Sequence, residues 1–202
     1  MTKGELLTRL PIEVEALVLR ACTRRDIDHL AAWPAYPFPY EGFTLSFRGG
    51  DQTTLDDAHR RLALAKDRLT LVADTPDEVC IAYLALLDID WDGRRVGNTS
   101  VRVHPGCCGQ GIGTRILDAV CGWAPASGVR SLRIDVAASN ERAIRCYVKS
   151  GFRQIGEEWR AAPDLLPADL ADPRYEFLRK HARTAHGAPE LRFLLLERLV
   201  ID

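Results

Sequence analysis

Val101-Arg102-Val103-His104-Pro105-Gly106-Cys107-Cys108-Gly109-Gln110-Gly111-Ile112-Gly113-Thr114 is the stretch on which the reading of this chain turns. An alternating run, typical of a strand, stops at a proline. A glycine-rich loop follows and passes directly into a segment with Ile112, Ile116, Val120 and Trp123 at helical spacing. A strand–loop–helix join of this kind aims unpaired backbone N–H groups, and the positive end of a helix dipole, at one point. Such a point suits a phosphate and needs no lysine. The loop is not a Walker motif, because no Gly-Lys-Ser/Thr follows it. A dinucleotide fold is disfavoured, because the strands before it read as a hairpin meander rather than a parallel strand–helix–strand unit, and a nucleotide- or dinucleotide-binding enzyme stays as a third reading.

Upstream, Asp92-Gly93 marks a hairpin between residues 79–88 and 96–103, and residues 69–73 and 17–20 read as further strands. Residues 26–33 carry Ile27, Leu30 and Ala31 at helical spacing. Residues 54–67 place Leu55, Ala58, Leu62 and Ala65 on one helical stripe. Between them, Trp33-Pro34-Ala35-Tyr36-Pro37-Phe38-Pro39-Tyr40 sets three prolines among four aromatics, too dense in proline for a regular helix. Two readings stay open: a loop that buries its rings in the core, or an aromatic wall for a substrate.

Downstream, Leu132, Ile134 and Val136 alternate as a half-buried strand does. Asp135-Val136-Ala137-Ala138-Ser139-Asn140 then meets a helix over 141–149, followed by Ser150-Gly151-Phe152 and a strand over 152–159. Asn140 stands at the natural N-cap. Tyr147 lies seven residues on, close to two turns, so both face one side. Residues 161–190 break the rhythm with Pro163, Pro167, Pro173 and Pro189 and a charged helical segment over 175–183, before a final buried strand over 191–199. An excursion of that length is often a lid or binding insert.

The glycine loop and the Asn140–Phe152 stretch together resemble the GNAT superfamily of acyl-CoA-dependent N-acyltransferases, over nearly the whole chain from Leu17 to Leu199. The resemblance implies one domain over residues 1–202 with an α/β (α+β) fold, a mixed, mostly antiparallel central sheet with helices on both faces. It implies acetyl-CoA as cofactor and an amine as acceptor. Val101, Val103, Cys108, Gly109, Gln110, Gly111, Ile112, Gly113, Thr114, Asn140 and Tyr147 would hold the cofactor. The hexad Cys108–Gly113 departs from the family pattern at Cys108, where Arg or Gln leads. Tyr147 would protonate the departing thiolate, which a phenol can do without being ionised at neutral pH. The N–H of Val103 would face the thioester carbonyl.

Many members place a glutamate on the strand before the loop. Here residues 96–103 hold no carboxylate. Asp88 and Asp90 are the nearest candidates for the base, with Glu157 and Glu158 behind them; His104 reads as a supporting residue. Trp33, Tyr36, Phe38 and Tyr40 are the candidate acceptor wall, and the 161–190 insert the candidate lid, with Asp164, Asp169, Asp172 and Glu176 as possible selectors of a cationic amine. The missing carboxylate keeps a second class in play, a CoA-binding regulatory or interaction module without turnover.

A net charge of −1 in 202 residues gives no electrostatic reason to expect nucleic acid or membrane binding. No apolar run approaches a membrane span, and the N-terminal residues lack a secretory core, so a cytoplasmic location is expected. The six cysteines form no CxxC pair and no zinc-like set, so free thiols and no metal are expected. The vicinal Cys107-Cys108 is a strained place for a disulfide. Association as a homodimer is left open.

Overall fold

A computed structural model describes residues 2–163, 165 and 167–200. The chain divides into two compact units, Met1–Leu132 with Leu199–Asp202, and Arg133–Arg198.

The first unit opens with helix α1 (Lys3–Leu7), whose N-terminus is closed by a Thr2–Glu5 capping box. Strands β1 (Ile12–Val14) and β2 (Leu17–Ala21) follow, then α2 (Arg24–Ala31), α3 (Gln52–Leu64), β3 (Leu69–Asp74), β4 (Cys80–Asp90) and β5 (Arg95–Val103). β1 to β5 pair in sequence order, each antiparallel to the next. Every residue of β3 is buried, as are the first seven of β4. On β4 the strand alternation sends Tyr83 and Ala85 into one cluster with Ile27, Leu30 and Trp33, so α2 and its loop cover that face. A three-way ion cluster ties β2, α2 and β3 together. Arg20 meets Asp26 through both terminal nitrogens, at 2.7 and 2.8 Å, and Asp74 through Nε at 2.6 Å.

After β5 come α4 (Ile112–Ala126) and β6 (Ser131–Ala137). β6 runs parallel to β5 and meets it at Arg95↔Ser131 and Val96↔Leu132, with no further pair among the described residues. The expected stripe of α4 is buried at Ile112, Ile116 and Val120, while Trp123 is only half-buried.

The second unit takes the rest of β6, then α5 (Glu141–Lys149), β7 (Arg153–Ala161), α6 (Pro167–Ala171), α7 (Glu176–Arg179), β8 (Ala182–Ala185) and β9 (Ala188–Leu199). β9 lies between β6 and β7 and also pairs with β8. The nine strands are mostly antiparallel and flanked by helices, the mixed α/β class expected.

Three expectations need correction. The helical segment expected over 175–183 ends at Arg179, and Ala182–Ala185 is a strand. It turns back through His186 (φ 52°) and Gly187 (φ 81°), two consecutive left-handed residues that make a tight hairpin. That hairpin starts β9 at Ala188 rather than 191, and β9 is half-exposed along most of its length instead of buried. The reason is composition: Glu190, Arg192 and Arg198 fall on one face of the strand and Glu197 on the other, so neither face is wholly apolar. The hairpin expected at Asp92-Gly93 forms, with Arg94 (φ 57°) as the left-handed residue of a four-residue turn.

Candidate active site

The glycine loop has the predicted conformation. Gly109 (φ 84°) and Gly111 (φ 77°) both lie in the left-handed region, where only glycine is unstrained. Gly111 is the N-cap of α4 and offers no side chain to its first turn. The N–H groups of Ile112 and Gly113 therefore point out of the helix end without an intrahelical acceptor. A Cβ built on Gly109 or Gly111 would meet nothing within 4 Å, so open space lies in front of both. An uncapped helix start behind open backbone fits a diphosphate. Residues 105–107 form a short 3-10 turn, in which His104 Nδ1 accepts the Gly106 N–H at 3.1 Å. The His104 ring stands edge-on to Trp33 at 5.3 Å, a supporting position.

β5 leads into this loop, and along one of its edges the N–H groups turn away from β4. His104 donates its N–H to Ile81 O at 2.8 Å, and the register pairs Ala82 with Val103 and Leu84 with Val101. Bonded and non-bonded pairs alternate along an antiparallel ladder. Val101 and Val103 therefore turn their N–H groups away from β4. Beyond Val96 that edge has no β6 pair among the described residues. The Val103 carbonyl accepts the Tyr36 hydroxyl at 2.7 Å and the Cys108 thiol at 3.6 Å. Cys108 thus stands where the family pattern has Arg or Gln and holds the strand end through its sulfur. Its thiol also reaches His104 O at 3.6 Å, and neither it nor Cys107 is in a disulfide.

Asn140 and Tyr147 lie in the second unit, on α5. Asn140 caps the helix by accepting the Ala143 N–H at 3.1 Å. Tyr147, at 6% exposure, is the buried side chain of that helix, with its ring 6.3 Å from Phe152.

The aromatic segment divides. Trp33 and Tyr36 are buried, Trp33 in the α2 cluster and Tyr36 at the end of β5. Phe38 is 49% exposed, and Tyr40 packs on Phe43 at 6.4 Å between ring centres. None of the four lines a cavity of about 350 Å³ in the first unit. Residues 44–47 form that wall, a few positions further along the same loop. The floor is the β4–β5 face: Tyr83, Ala85 and Leu87 from β4, with Ser100 and Arg102 opposite them in register. Arg61 on α3 and Arg68 before β3 complete it, and no Asp or Glu is among its lining residues. Burial raises the Tyr83 phenol above its ordinary pKa and the nearby Cys22 raises it further, while the Arg68 and Arg102 charges pull it down.

The expected base pair is not with the loop. Asp90 sits opposite Arg95, eight residues and about 26 Å of strand from Val103 at ~3.3 Å per residue. It accepts the Gly93 N–H at 2.8 Å and lies 3.9 Å from Arg95, so it holds the hairpin turn. Asp88 is exposed on left-handed backbone (φ 52°), with Gly97 so close across the ladder that a Cβ there would come within 2.9 Å. In the second unit Glu158 pairs with Arg160, and Glu157 with Arg192 at 3.5 Å. Asp172 pairs with Arg174 at 2.7 Å. Asp169 is half-buried, Glu176 is exposed, and Asp164 lies outside the described residues. Among the described residues no group of His, Cys, Asp and Glu is placed to hold a metal ion, and no helix is long and apolar enough to cross a membrane.

The strand–loop–helix cradle and the sheet around it define an acyl-CoA-dependent transferase class. The family model "Acetyltransferase (GNAT) family" matches residues 32–152, and the chain belongs to that family. It is an N-acetyltransferase, and the family takes acetyl-CoA as cosubstrate and an amine as acceptor. Similar solved structures include a spermidine N-acetyltransferase SpeG chimera from Vibrio cholerae and hSSAT, 16% identical, covering 92% of this chain and 96% of that one, TM-score 0.64. The spermidine/spermine N-acetyltransferase SpeG from Vibrio cholerae is 15% identical over 91% of this chain and 92% of its own, TM-score 0.61. A GNAT-family acetyltransferase from Streptococcus pneumoniae is 16% identical over 91% and 99%, TM-score 0.56. Identities this low report the shared fold. No curated protein matches the chain in sequence.

Proposed function

We propose that this chain binds acetyl-CoA along the open edge of β5 and transfers its acetyl group to an amine by direct attack. When bound, acetyl-CoA supplies the activated acetyl group as a thioester. The N–H groups from Gly109 to Thr114 hold the diphosphate. Those of Val101 and Val103 hold the pantetheine arm, and that of Val103 takes the negative charge that develops on the carbonyl oxygen. Asn140 orients the arm from the cap of α5.

The acceptor nitrogen gives up one proton, attacks the carbonyl carbon and forms the C–N bond as the C–S bond breaks. Tyr147 donates its hydroxyl proton to the leaving sulfur and recovers one from the proton that the amine released. With Asp90 engaged in its turn and Asp88 near the same hairpin end of β4, water carries the amine's proton to Tyr147. Holding the reactants together accounts for most of the rate.

The observation that carries this reading is the uncapped start of α4 behind two left-handed glycines, beside a strand edge with inward N–H groups. Calorimetry with CoA on the wild type and Gly111→Val tests the cradle, and thiol release with an amine panel tests turnover. CoA binding without release on any amine would instead mark a regulatory CoA-binding module.

A further inference from the structure

We infer that the acceptor amine of this chain also carries an acidic group, a carboxylate or a phosphate, held in the β4–β5 cavity by Arg61, Arg68 and Arg102. The inference rests on the acetyltransfer reading and names the acceptor class for it.

The cavity has the volume of a small-molecule site, about 350 Å³. Three guanidinium groups line it, and each is charged at any physiological pH. Their neighbours differ in this respect. Arg20, Arg24 and Arg60 each meet a carboxylate within 2.8 Å. Arg61, Arg68 and Arg102 form no ion pair among the described residues. Arg102 is also pre-set: its Nε donates to Phe43 O at 2.8 Å, and one Nη donates to Ser100 Oγ and Val101 O at 3.1 and 3.0 Å. Its second Nη group has no partner among the described residues. A guanidinium held in place by three bonds with one Nη group left over, on a floor that also holds the Tyr83 ring, is a ready seat for an anionic oxygen.

A polyamine entering this space would bring a second positive charge among three that have no counter-ion. An acid-bearing amine brings the missing counter-ion. The apolar walls at Leu45, Phe47 and Leu87 suit a short hydrocarbon link between its two ends. The positive field also lowers the pKa of an ammonium brought nearby, which favours the neutral, attacking amine. This offers a physical reason why β5 can do without a carboxylate.

The test uses matched five-carbon acceptors at saturating acetyl-CoA: 5-aminopentanoate, pentylamine and 1,5-diaminopentane, with spermidine and 2-aminoethyl phosphate alongside. The expected kcat/KM for 5-aminopentanoate exceeds that for pentylamine by ~10-fold or more, with the diamine and spermidine lowest. The phosphate arm tells which acidic group fits better. In Arg61→Gln/Arg68→Gln the acid-to-neutral ratio collapses toward one; Arg60→Gln, outside the cavity, leaves that ratio as it was. Arg102→Lys, which keeps the charge and loses the fork, is the second variant and lowers the ratio in part. Preference for the diamine or spermidine, or a ratio indifferent to the arginines, overturns the inference. Glutarate binding by calorimetry reads the cavity without any chemistry. Arginine-dependent glutarate binding without thiol release sinks acetyl transfer and leaves the anion seat standing. Thiol release with no arginine-dependent binding does the reverse.

Discussion

The glycine loop and the arginine cavity are the two seats for negative charge proposed above, and they are built by opposite means. The loop uses backbone: donors left over at a helix start, exposed because Gly109 and Gly111 adopt conformations closed to other residues. The cavity uses side chains from α3, the turn before β3, and β5, assembled by the fold. The first is continuous in sequence and recurs wherever the same chemistry is needed. The second is scattered over some forty residues. A shared cofactor and a particular acceptor call for that division.

The predictions test each side of the contrast. Tyr147→Phe should lower kcat by about 10²–10³-fold and weaken CoA binding far less, because a proton given as the thiolate leaves counts only in the transition state. An unaltered kcat would remove Tyr147 from that role. Gly111→Val should weaken CoA on the order of 100-fold, ~2.7 kcal/mol, by straining the loop and filling the open space in front of it. Equal affinity in calorimetry would mean the backbone seat lies elsewhere.

Arg20 provides the paired counter-example to the cavity arginines. Burial alone would raise the pKa of Asp26, but hydrogen bonds from Arg20 and Thr23 outweigh it and bring the carboxyl down to about 2. A folded-state pKa below the unfolded one contributes stability above pH ~4, and that contribution is lost as pH falls from ~4 toward 2. Asp26→Asn should cost about 2 kcal/mol at neutral pH and flatten this acid limb in chemical denaturation. An acid limb that survives the substitution would place the titration on other carboxylates.

The cavity pair Arg61→Gln/Arg68→Gln should lower kcat/KM on an acid-bearing amine ~10-fold, about 1.4 kcal/mol, with CoA affinity intact. It should not lower the melting temperature, since neither side chain has an ion pair to lose among the described residues. A drop in CoA affinity would merge the two seats into one. Tyr36→Phe should have the smallest effect, about 1 kcal/mol of stability, by leaving the Val103 carbonyl to Cys108 alone. A larger loss of turnover would promote Tyr36 from anchor to participant.

The two proline- and glycine-rich segments show how far sequence reading reaches. The loop at 104–114 was legible because its geometry is local: proline stops a strand, glycines permit left-handed turns, and periodicity starts a helix. Residues 33–40 could not be settled that way. Their prolines exclude a helix but do not say which ring turns inward. Trp33 and Tyr36 face the core, and the cavity wall falls to residues 44–47, whose sequence carries no comparable signal. Arg102 could have been noticed, as a charge set between Val101 and Val103 on a central strand. Arg61 and Arg68 could not, since on a helix end and in a turn they read as ordinary solvated charges.

By itself the sequence determined the fold family, the glycine cradle, the cap at Asn140 and the placing of Tyr147 two turns on. These depend on torsions and spacings within a few consecutive residues, which the chain writes down directly. Only the tertiary structure decided that Asp90 serves a turn, that Cys108 and Tyr36 share one carbonyl, and that three arginines meet around a cavity with no Asp or Glu among its lining residues. Those outcomes depend on register and packing between distant segments, where one strand pairing decides which charges become neighbours.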